Sequence, residues 1–171
     1  GWDGAPEWAT LTGGADTCAG VSREDNAAVK AAWDAFYADE AGIRTALVDT
    51  WGWLAGAFAD DPAVAGFDLL NEPGYGDDVD GALLALGDYY DQAIRAIRTA
   101  EEAGDGLTHP IFFEYLVDGQ AVAPGFSDDP GLVFAPHVYG GSISEVPLEV
   151  NYSYAEGLAR DYGTALWVGE Y

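Results

Sequence analysis

The amino-acid sequence predicts an α/β protein with a parallel β-sheet, and two kinds of observation support this fold class. Short apolar runs that suit buried strands alternate with longer segments in which apolar residues recur at helical spacing. The runs end near residues 72, 115, 139 and 171, and intervals of roughly 24 to 43 residues suit successive βα units. Polar residues stand at several of these ends, and no glycine-rich phosphate loop follows any of them. These features favour a (β/α)8 TIM barrel over a doubly wound dinucleotide-binding sheet.

Helices are predicted where apolar residues recur every three or four positions. Residues 1–21 lack such a pattern and are expected to form a loop. Ser22 and Asp25 resemble a capping box, so a first helix should follow them. Gly42 separates it from a second helix, which ends at Asp60-Asp61-Pro62. A third helix follows at about residues 83–97, and a weaker fourth covers about 152–162. The apolar positions are Val29, Trp33, Phe36 and Tyr37 in the first helix, Ile43, Leu47, Trp51, Leu54 and Phe58 in the second, and Leu83, Leu86, Tyr90, Ile94 and Ile97 in the third.

Strands are predicted at four apolar runs, 63–70, 111–115, 132–139 and from about 165 to the end of the chain. Near-continuous apolar character is expected when helices cover both faces of a parallel sheet. No helix is evident between residues 115 and 139.

The chain is short for a complete barrel. It has 171 residues and no methionine, whereas a whole (β/α)8 barrel needs about 250 residues. We therefore expect an internal piece of a longer protein, a partial barrel that forms part of one domain.

The composition excludes several classes of partner. Thirty acidic residues against six basic ones give a formal charge of −24. Such a surface repels phosphate backbones, which argues against nucleic acid as a partner, and no apolar run is long enough for stable membrane insertion. Lys30 is the only lysine. The acidity fits either a salt-adapted protein or an acidic secreted enzyme. We expect a secreted, extracellular location, although no signal peptide is visible in this sequence.

Two glutamates stand at the ends of predicted strands. Glu72 follows the first strand and Glu170 follows the last. Because the carboxyl ends of parallel strands meet at one rim of a barrel, these carboxylates are expected to face each other. A carboxylate pair of this kind can cleave a glycosidic bond, and Asn71 beside Glu72 can donate a hydrogen bond to a sugar hydroxyl. His137 and Tyr139 lie two residues apart on a strand and should share one face.

The run at residues 64–73, VAGFDLLNEP, closely resembles the fourth-strand signature of glycoside hydrolase family 5, the cellulase family of (β/α)8 barrels. The resemblance implies that Glu72 is the acid/base and that Asn71 binds the sugar 2-hydroxyl.

Two further motifs occur in that family's order. His137 and Tyr139 resemble its His-x-Tyr after the sixth strand, which lines the subsite at the cleaved bond. Glu170 matches its nucleophile at the end of the seventh strand. By this resemblance the chain is one piece of a catalytic domain, with residues 1–21 as the loop after the third strand and residues 22–171 running from the third helix through the seventh strand.

The segments at 4–10, 68–73 and 112–114 are similar to the endoglycosylceramidase branch of the family, whose members release whole oligosaccharides from glycosphingolipids. The chain departs from that branch at Gly74, where a bulky aromatic residue is frequent, and at Tyr115, where proline is frequent.

The resemblance implies a retaining glycoside hydrolase that needs no cofactor and no metal. Its substrate is expected to be a carbohydrate or glycolipid, with a glycosphingolipid or a plant polysaccharide (endoglucanase or mannanase activity) as alternatives. An inactive barrel that only binds carbohydrate is a third alternative. Tyr75, in the loop beside Glu72, is a candidate for sugar stacking, and Glu114, also at a strand end, is expected to form hydrogen bonds beside the site.

Overall fold

The computed structural model describes residues 5–18, 20–141 and 144–171 and contains one parallel sheet. Its strands are β1 (Phe67–Asp68), β2 (Ile111–Phe113), β3 (Leu132–Phe134) and β4 (Ala165–Leu166), and they pair in chain order. A sheet that adds each new strand on the same side is a segment of a (β/α)8 barrel, since a doubly wound sheet reverses its strand order. The predicted fold class is therefore confirmed.

Four α-helices surround this sheet within the described residues. They are α1 (Ala27–Tyr37), α2 (Ile43–Ala57), α3 (Val79–Ala103) and α4 (Leu148–Tyr162), with short 3₁₀ turns at Glu7–Ala9 and Glu40–Gly42. As predicted, Gly42 separates α1 from α2, and its left-handed φ of 75° suits glycine. The start of α1 differs from the prediction. Ser22 and Asp25 do bond to each other, but Asn26 caps the helix by accepting the N–H groups of Ala28 and Val29.

The regular strands are shorter than the apolar runs that predicted them. Residues 63–65 do not join β1, because the Asp61 carboxylate accepts the Ala63 N–H in a turn. Beyond β3, Pro136 lacks an N–H group for the ladder. Its carbonyl still accepts the N–H of Gly169, and the N–H of Val138 still reaches the carbonyl of Glu170. Backbone pairing thus continues from β3 and β4 up to the rim.

Aromatic residues fill the space between the sheet and its helices. Phe113 and Phe134 are fully buried and pack against Tyr162, while Trp51 of α2 lies against Phe67. Trp51 therefore packs the helix onto the barrel as expected, whereas Trp53 is 72% exposed.

Two buried tyrosines, Tyr89 and Tyr90, and the partly buried Tyr115 fix the carboxyl ends of the strands. Tyr89 donates its hydroxyl to the carbonyl of Leu69, Tyr90 donates to that of Glu114, and Tyr115 donates to that of His137. Burying such hydroxyls without a partner would be costly, so each bond also holds one strand end in place. These bonds set the backbone on which the candidate site is built.

The opposite rim carries a separate ionic network. Arg98 of α3 binds Asp129 with two nitrogens and Glu101 with a third contact, and Glu101 also accepts from the buried ring of His109. Residues at the amino ends of barrel strands serve stability.

No helix among the described residues has the length and apolar character needed to cross a bilayer.

Candidate active site

Glu72 lies just past β1 in an unusual backbone conformation. Its φ is 43°, a left-handed value that is uncommon for any residue with a side chain. Its N–H donates to a carboxylate oxygen of Glu114, which follows β2. The turn thus places the Glu72 side chain at the rim while its backbone is held from the neighbouring strand.

Glu170 and His137 are brought together by the continued pairing of the last two strands. They form an isolated parallel bridge, and the Nδ1 atom of His137 lies 3.1 Å from Glu72 Oε1 and 3.4 Å from Glu170 Oε2. One oxygen from each glutamate and one ring nitrogen of His137 all lie within 4.8 Å of one another. The two carboxylates, 98 positions apart in the sequence, therefore lie close together beside His137.

Tyr139 donates its hydroxyl to Glu170 Oε2. This hydrogen bond raises the pKa of Tyr139 to about 12, so the phenol remains a donor at neutral pH. The side-chain amide of Asn151, from α4, donates to the backbone carbonyl of Tyr139 and positions it. Tyr139 thus links the Glu170 carboxylate to α4 through Asn151.

Glu72 is influenced by opposing effects. Burial acts to raise its pKa, but hydrogen bonds from His137 and Arg23, together with the Arg23 charge, outweigh burial and leave the pKa below its ordinary value. Arg23 Nη2 lies 3.1 Å from Glu72 Oε2. The contacts of Glu72 therefore favour its ionised form.

Glu114 shows the reverse behaviour. Its residue is 3% exposed, and burial raises the pKa of Glu114 to about 8, with the nearby carboxylates of Asp68, Glu72 and Glu170 adding to the rise. The bond from the Glu72 N–H lowers it but does not cancel these effects. Near neutral pH, Glu114 is therefore mainly a neutral carboxylic acid.

Asn71 and Tyr75 lie beside Glu72 on the wall of a cavity of about 600 Å³. Tyr75 donates its hydroxyl to Asp118, 2.8 Å away. The cavity is lined mainly by the segment before α1, by α1 and α2, and by residues 70–75, and many of these side chains are apolar. Because neither His137 nor Glu170 lines it, we assign only the part around Arg23, Asn71 and Glu72 to the site; the roles of Asn71 and Tyr75 stay predictions.

Sequence reasoning missed the contact of Arg23 with Glu72. The two residues are 49 positions apart, and Arg23 lies in a loop without periodic pattern, so only its scarcity as one of six basic residues could have drawn attention to it. Glu114 was expected to form hydrogen bonds near the site, and it does.

The donor atoms of Glu72, His137 and Glu170 are close enough together to surround a cation. Their carboxylates, however, already accept hydrogen bonds from Arg23 and Tyr139. The arrangement favours proton transfer and nucleophilic attack over metal binding.

Comparison with known proteins agrees with this geometry. Residues 23–171 match the family described as cellulase (glycosyl hydrolase family 5). The chain belongs to glycosyl hydrolase family 5. An endoglycoceramidase of Cyanea nozakii is 32% identical over an alignment that covers 75% of this chain and 31% of the relative.

Solved structures of family 5 relatives share the fold. An endogalactoceramidase is 43% identical and superposes with a TM-score of 0.88, covering 98% of this chain and 39% of that one. Endo-glycoceramidase II from Rhodococcus sp., in its lactosyl-enzyme intermediate, is 21% identical with a TM-score of 0.78, covering 95% and 42%. The chain therefore spans about a third of the curated relative's length and about two-fifths of the solved ones.

Proposed function

We propose that the protein is a retaining glycoside hydrolase in which Glu72 is the acid/base and Glu170 the nucleophile. The observation that carries the proposal is the approach of their carboxylates to within 4.8 Å. Retaining enzymes place the two groups about 5 to 5.5 Å apart, whereas inverting enzymes leave room for a water molecule between them. Membership of family 5 supports the same assignment.

In the first step, a Glu170 oxygen attacks the anomeric carbon while the bond to the leaving oxygen breaks and Glu72 supplies the proton. The product is a glycosyl ester of Glu170. The Tyr139 hydroxyl donates a hydrogen bond to the attacking carboxylate and helps to hold it in place.

In the second step, ionised Glu72 takes a proton from water, whose oxygen attacks the same carbon and releases Glu170. The contacts from Arg23 and His137 favour ionised Glu72, which suits this step. For the first step Glu72 must gain a proton, and entry of a sugar that displaces Arg23 and excludes water would favour it.

The proposed substrate is a glycosphingolipid whose oligosaccharide is released whole. The support is the identity of 43% to an endogalactoceramidase and of 32% to an endoglycoceramidase. Polysaccharide cleavage, as in an endoglucanase or mannanase, is the second candidate and is favoured by the cellulase family match. The products decide between them, since the first releases ceramide and the second yields shortened glucan or mannan chains.

The experiment that tests the mechanism uses the full-length natural protein and activated 2-deoxy-2-fluoro glycosides. The fluorine slows the second step, so a covalent adduct should accumulate on the peptide that contains Glu170. An active enzyme in which that peptide stays unlabelled would reject the assignment of the nucleophile.

A Glu72→Ala variant tests the acid/base. It should lose about 10²- to 10⁴-fold on natural substrates. With an activated leaving group, added azide should restore turnover and yield a glycosyl azide of retained configuration. A variant as active as the parent would remove Glu72 from the mechanism, and no activity in any form of the protein would support the carbohydrate-binding alternative.

A further inference from the structure

Glu114 is a buried acid that the proposed mechanism does not use. It lies directly after β2, between the strands that carry Glu72 and His137, and is 3% exposed. One carboxyl oxygen, Oε1, accepts the N–H of Glu72. The other, Oε2, lies 3.8 Å from the Nε2 atom of His137. Glu114 therefore lies next to the backbone N–H of Glu72 and near the ring of His137, which itself contacts the Glu72 carboxylate.

The contact with Glu72 restrains the left-handed backbone conformation of that residue. A left-handed φ in a residue with a side chain persists only where the surroundings impose it. An acceptor for the Glu72 N–H at this turn supplies such a restraint. Without the acceptor, that amide would be left unpaired in a partly buried place.

The approach of Glu114 to His137 bears on which ring nitrogen of His137 carries the hydrogen. Nδ1 of the ring faces the carboxylates of Glu72 and Glu170, and a hydrogen on this atom would give both of them a donor. Nε2 would then present a lone pair towards Glu114 Oε2. The 3.8 Å separation is too long for a hydrogen bond but short enough for the charge of one group to act on the other.

The groups that face Glu114 are mainly acidic. Asp68 comes from β1, Glu72 from the turn after it, His137 from the segment after β3 and Glu170 from the end of the chain, while Tyr90 of α3 and the adjacent Tyr115 supply hydroxyls. An ionised Glu114 would add a negative charge beneath two carboxylates that must themselves change charge during the reaction. A protonated Glu114 adds none and directs an O–H group, rather than a second lone pair, towards the ring.

We propose that Glu114 is a positioning residue that works in its protonated form, holding the backbone of Glu72 through Oε1 and facing the ring of His137 through Oε2 without adding a charge. This inference rests on the proposed hydrolase function. It assigns to a buried carboxyl group the task of fixing the acid/base without touching the sugar.

The test compares two replacements of similar size in the full-length protein. Glu114→Gln keeps an acceptor for the Glu72 N–H and a donor towards His137, but it cannot ionise. Glu114→Leu removes both. We expect kcat of the Leu variant to fall at least tenfold below that of the Gln variant with a smaller change in KM, since substrate contacts remain. The Gln variant should also lose the decline in activity that ionisation of Glu114 causes at alkaline pH. Glu102→Gln, the same change on the exposed side of α3, serves as the control.

Titration of the carboxyl groups gives a readout that does not depend on activity. In protein labelled with ¹³C-glutamate, the signal that disappears in Glu114→Gln should titrate in the wild type well above the other glutamates. Titration below pH 5 would overturn the inference, as would a Gln variant that loses as much activity as the Leu variant. If the Leu variant does not fold, the Gln pH profile and the titration still decide. Failure of the proposed function is seen separately, as a wild type that neither cleaves glycosides nor forms the Glu170 adduct.

Discussion

Replacing Arg23 with Met should raise the pKa of Glu72 and so change the pH profile of the enzyme. Arg23 Nη2 lies 3.1 Å from Glu72 Oε2, and its hydrogen bond and charge both favour the ionised carboxylate. Met keeps most of the length of the side chain but removes both effects. The proton required for the first chemical step should then be retained to higher pH.

The size of the effect follows from the exposure of the pair. The Arg23 side chain is 44% exposed and that of Glu72 is 24% exposed, so water screens their attraction. Ion pairs of this kind contribute about 0.2 to 1 kcal/mol. Since 1.36 kcal/mol corresponds to one pKa unit, the expected rise is roughly 0.15 to 0.7 units. The closeness of Glu170 means that the two carboxylates titrate as a coupled pair, and the measured values belong to that pair.

The assay is kcat/KM against pH for the full-length protein, because this ratio reports the ionisation of the free enzyme. The alkaline limb should move to higher pH in Arg23→Met and should stay near its original position in Arg23→Lys, which keeps the charge. Arg95→Met removes the same charge from an exposed ion pair on α3 and serves as the control. In 1 M salt, where the Debye length is about 3 Å, the difference between Arg23→Met and wild type should shrink. An alkaline limb that does not move, or that moves equally in the Arg95 variant, would refute the reasoning.

Three further predictions follow from the same structure. Tyr139→Phe removes the hydrogen bond to Glu170 and should lower kcat about 10- to 100-fold, because hydrogen bonds to charged groups are worth about 1.5 to 3 kcal/mol; an unchanged kcat would show that the bond is not used. Glu114 has a folded-state pKa of about 8 against an ordinary value of 4.5, so its stabilising contribution is complete below pH 4.5 and is lost as the pH rises towards 8. The free energy of unfolding of Glu114→Gln, measured with urea, should therefore increase relative to that of the wild type by a few kcal/mol between pH 4.5 and pH 8, with about 5 kcal/mol as the ceiling. A difference between the two proteins that stays constant over this range would contradict the raised pKa of Glu114. The formal charge of −24 predicts a Tm that rises between 0.1 M and 1 M NaCl as repulsion is screened, and a flat or falling Tm would remove self-repulsion as a factor in stability.

The meeting of the four main site residues could be predicted because it depends on where strands end. Glu72, His137, Tyr139 and Glu170 each follow an apolar run, and parallel strands bring such positions to one rim. The helices were predictable for a similar reason, since their apolar spacing reflects the buried face. The structure adds the hydrogen bonds that join these residues, which no local pattern encodes.

The lengths of the strands could not be predicted from apolar character alone. Ala63 is apolar but belongs to a turn closed by Asp61, and Pro136 interrupts the ladder although its neighbours are apolar. Both limits depend on backbone hydrogen bonding, since the Ala63 N–H donates to Asp61 instead of to a neighbouring strand and Pro136 has no N–H to donate. The cap of α1 shows the same limit, because Asn26 and Ser22 both suit a cap and only the path of the loop decides between them.

The electrostatics of the site and of the surface obey different rules. A surface carboxylate such as Asp77 is 89% exposed in its side chain, so water and salt set its behaviour. The buried carboxyl of Glu114 is shielded from salt, and its proton is held by burial and by three neighbouring carboxylates. Molar salt should therefore weaken the influence of Arg23 on Glu72 and leave the elevated titration of Glu114 in place. If both responded equally to salt, Glu114 would have to be accessible to water, and its role as a buried anchor for Glu72 would fail.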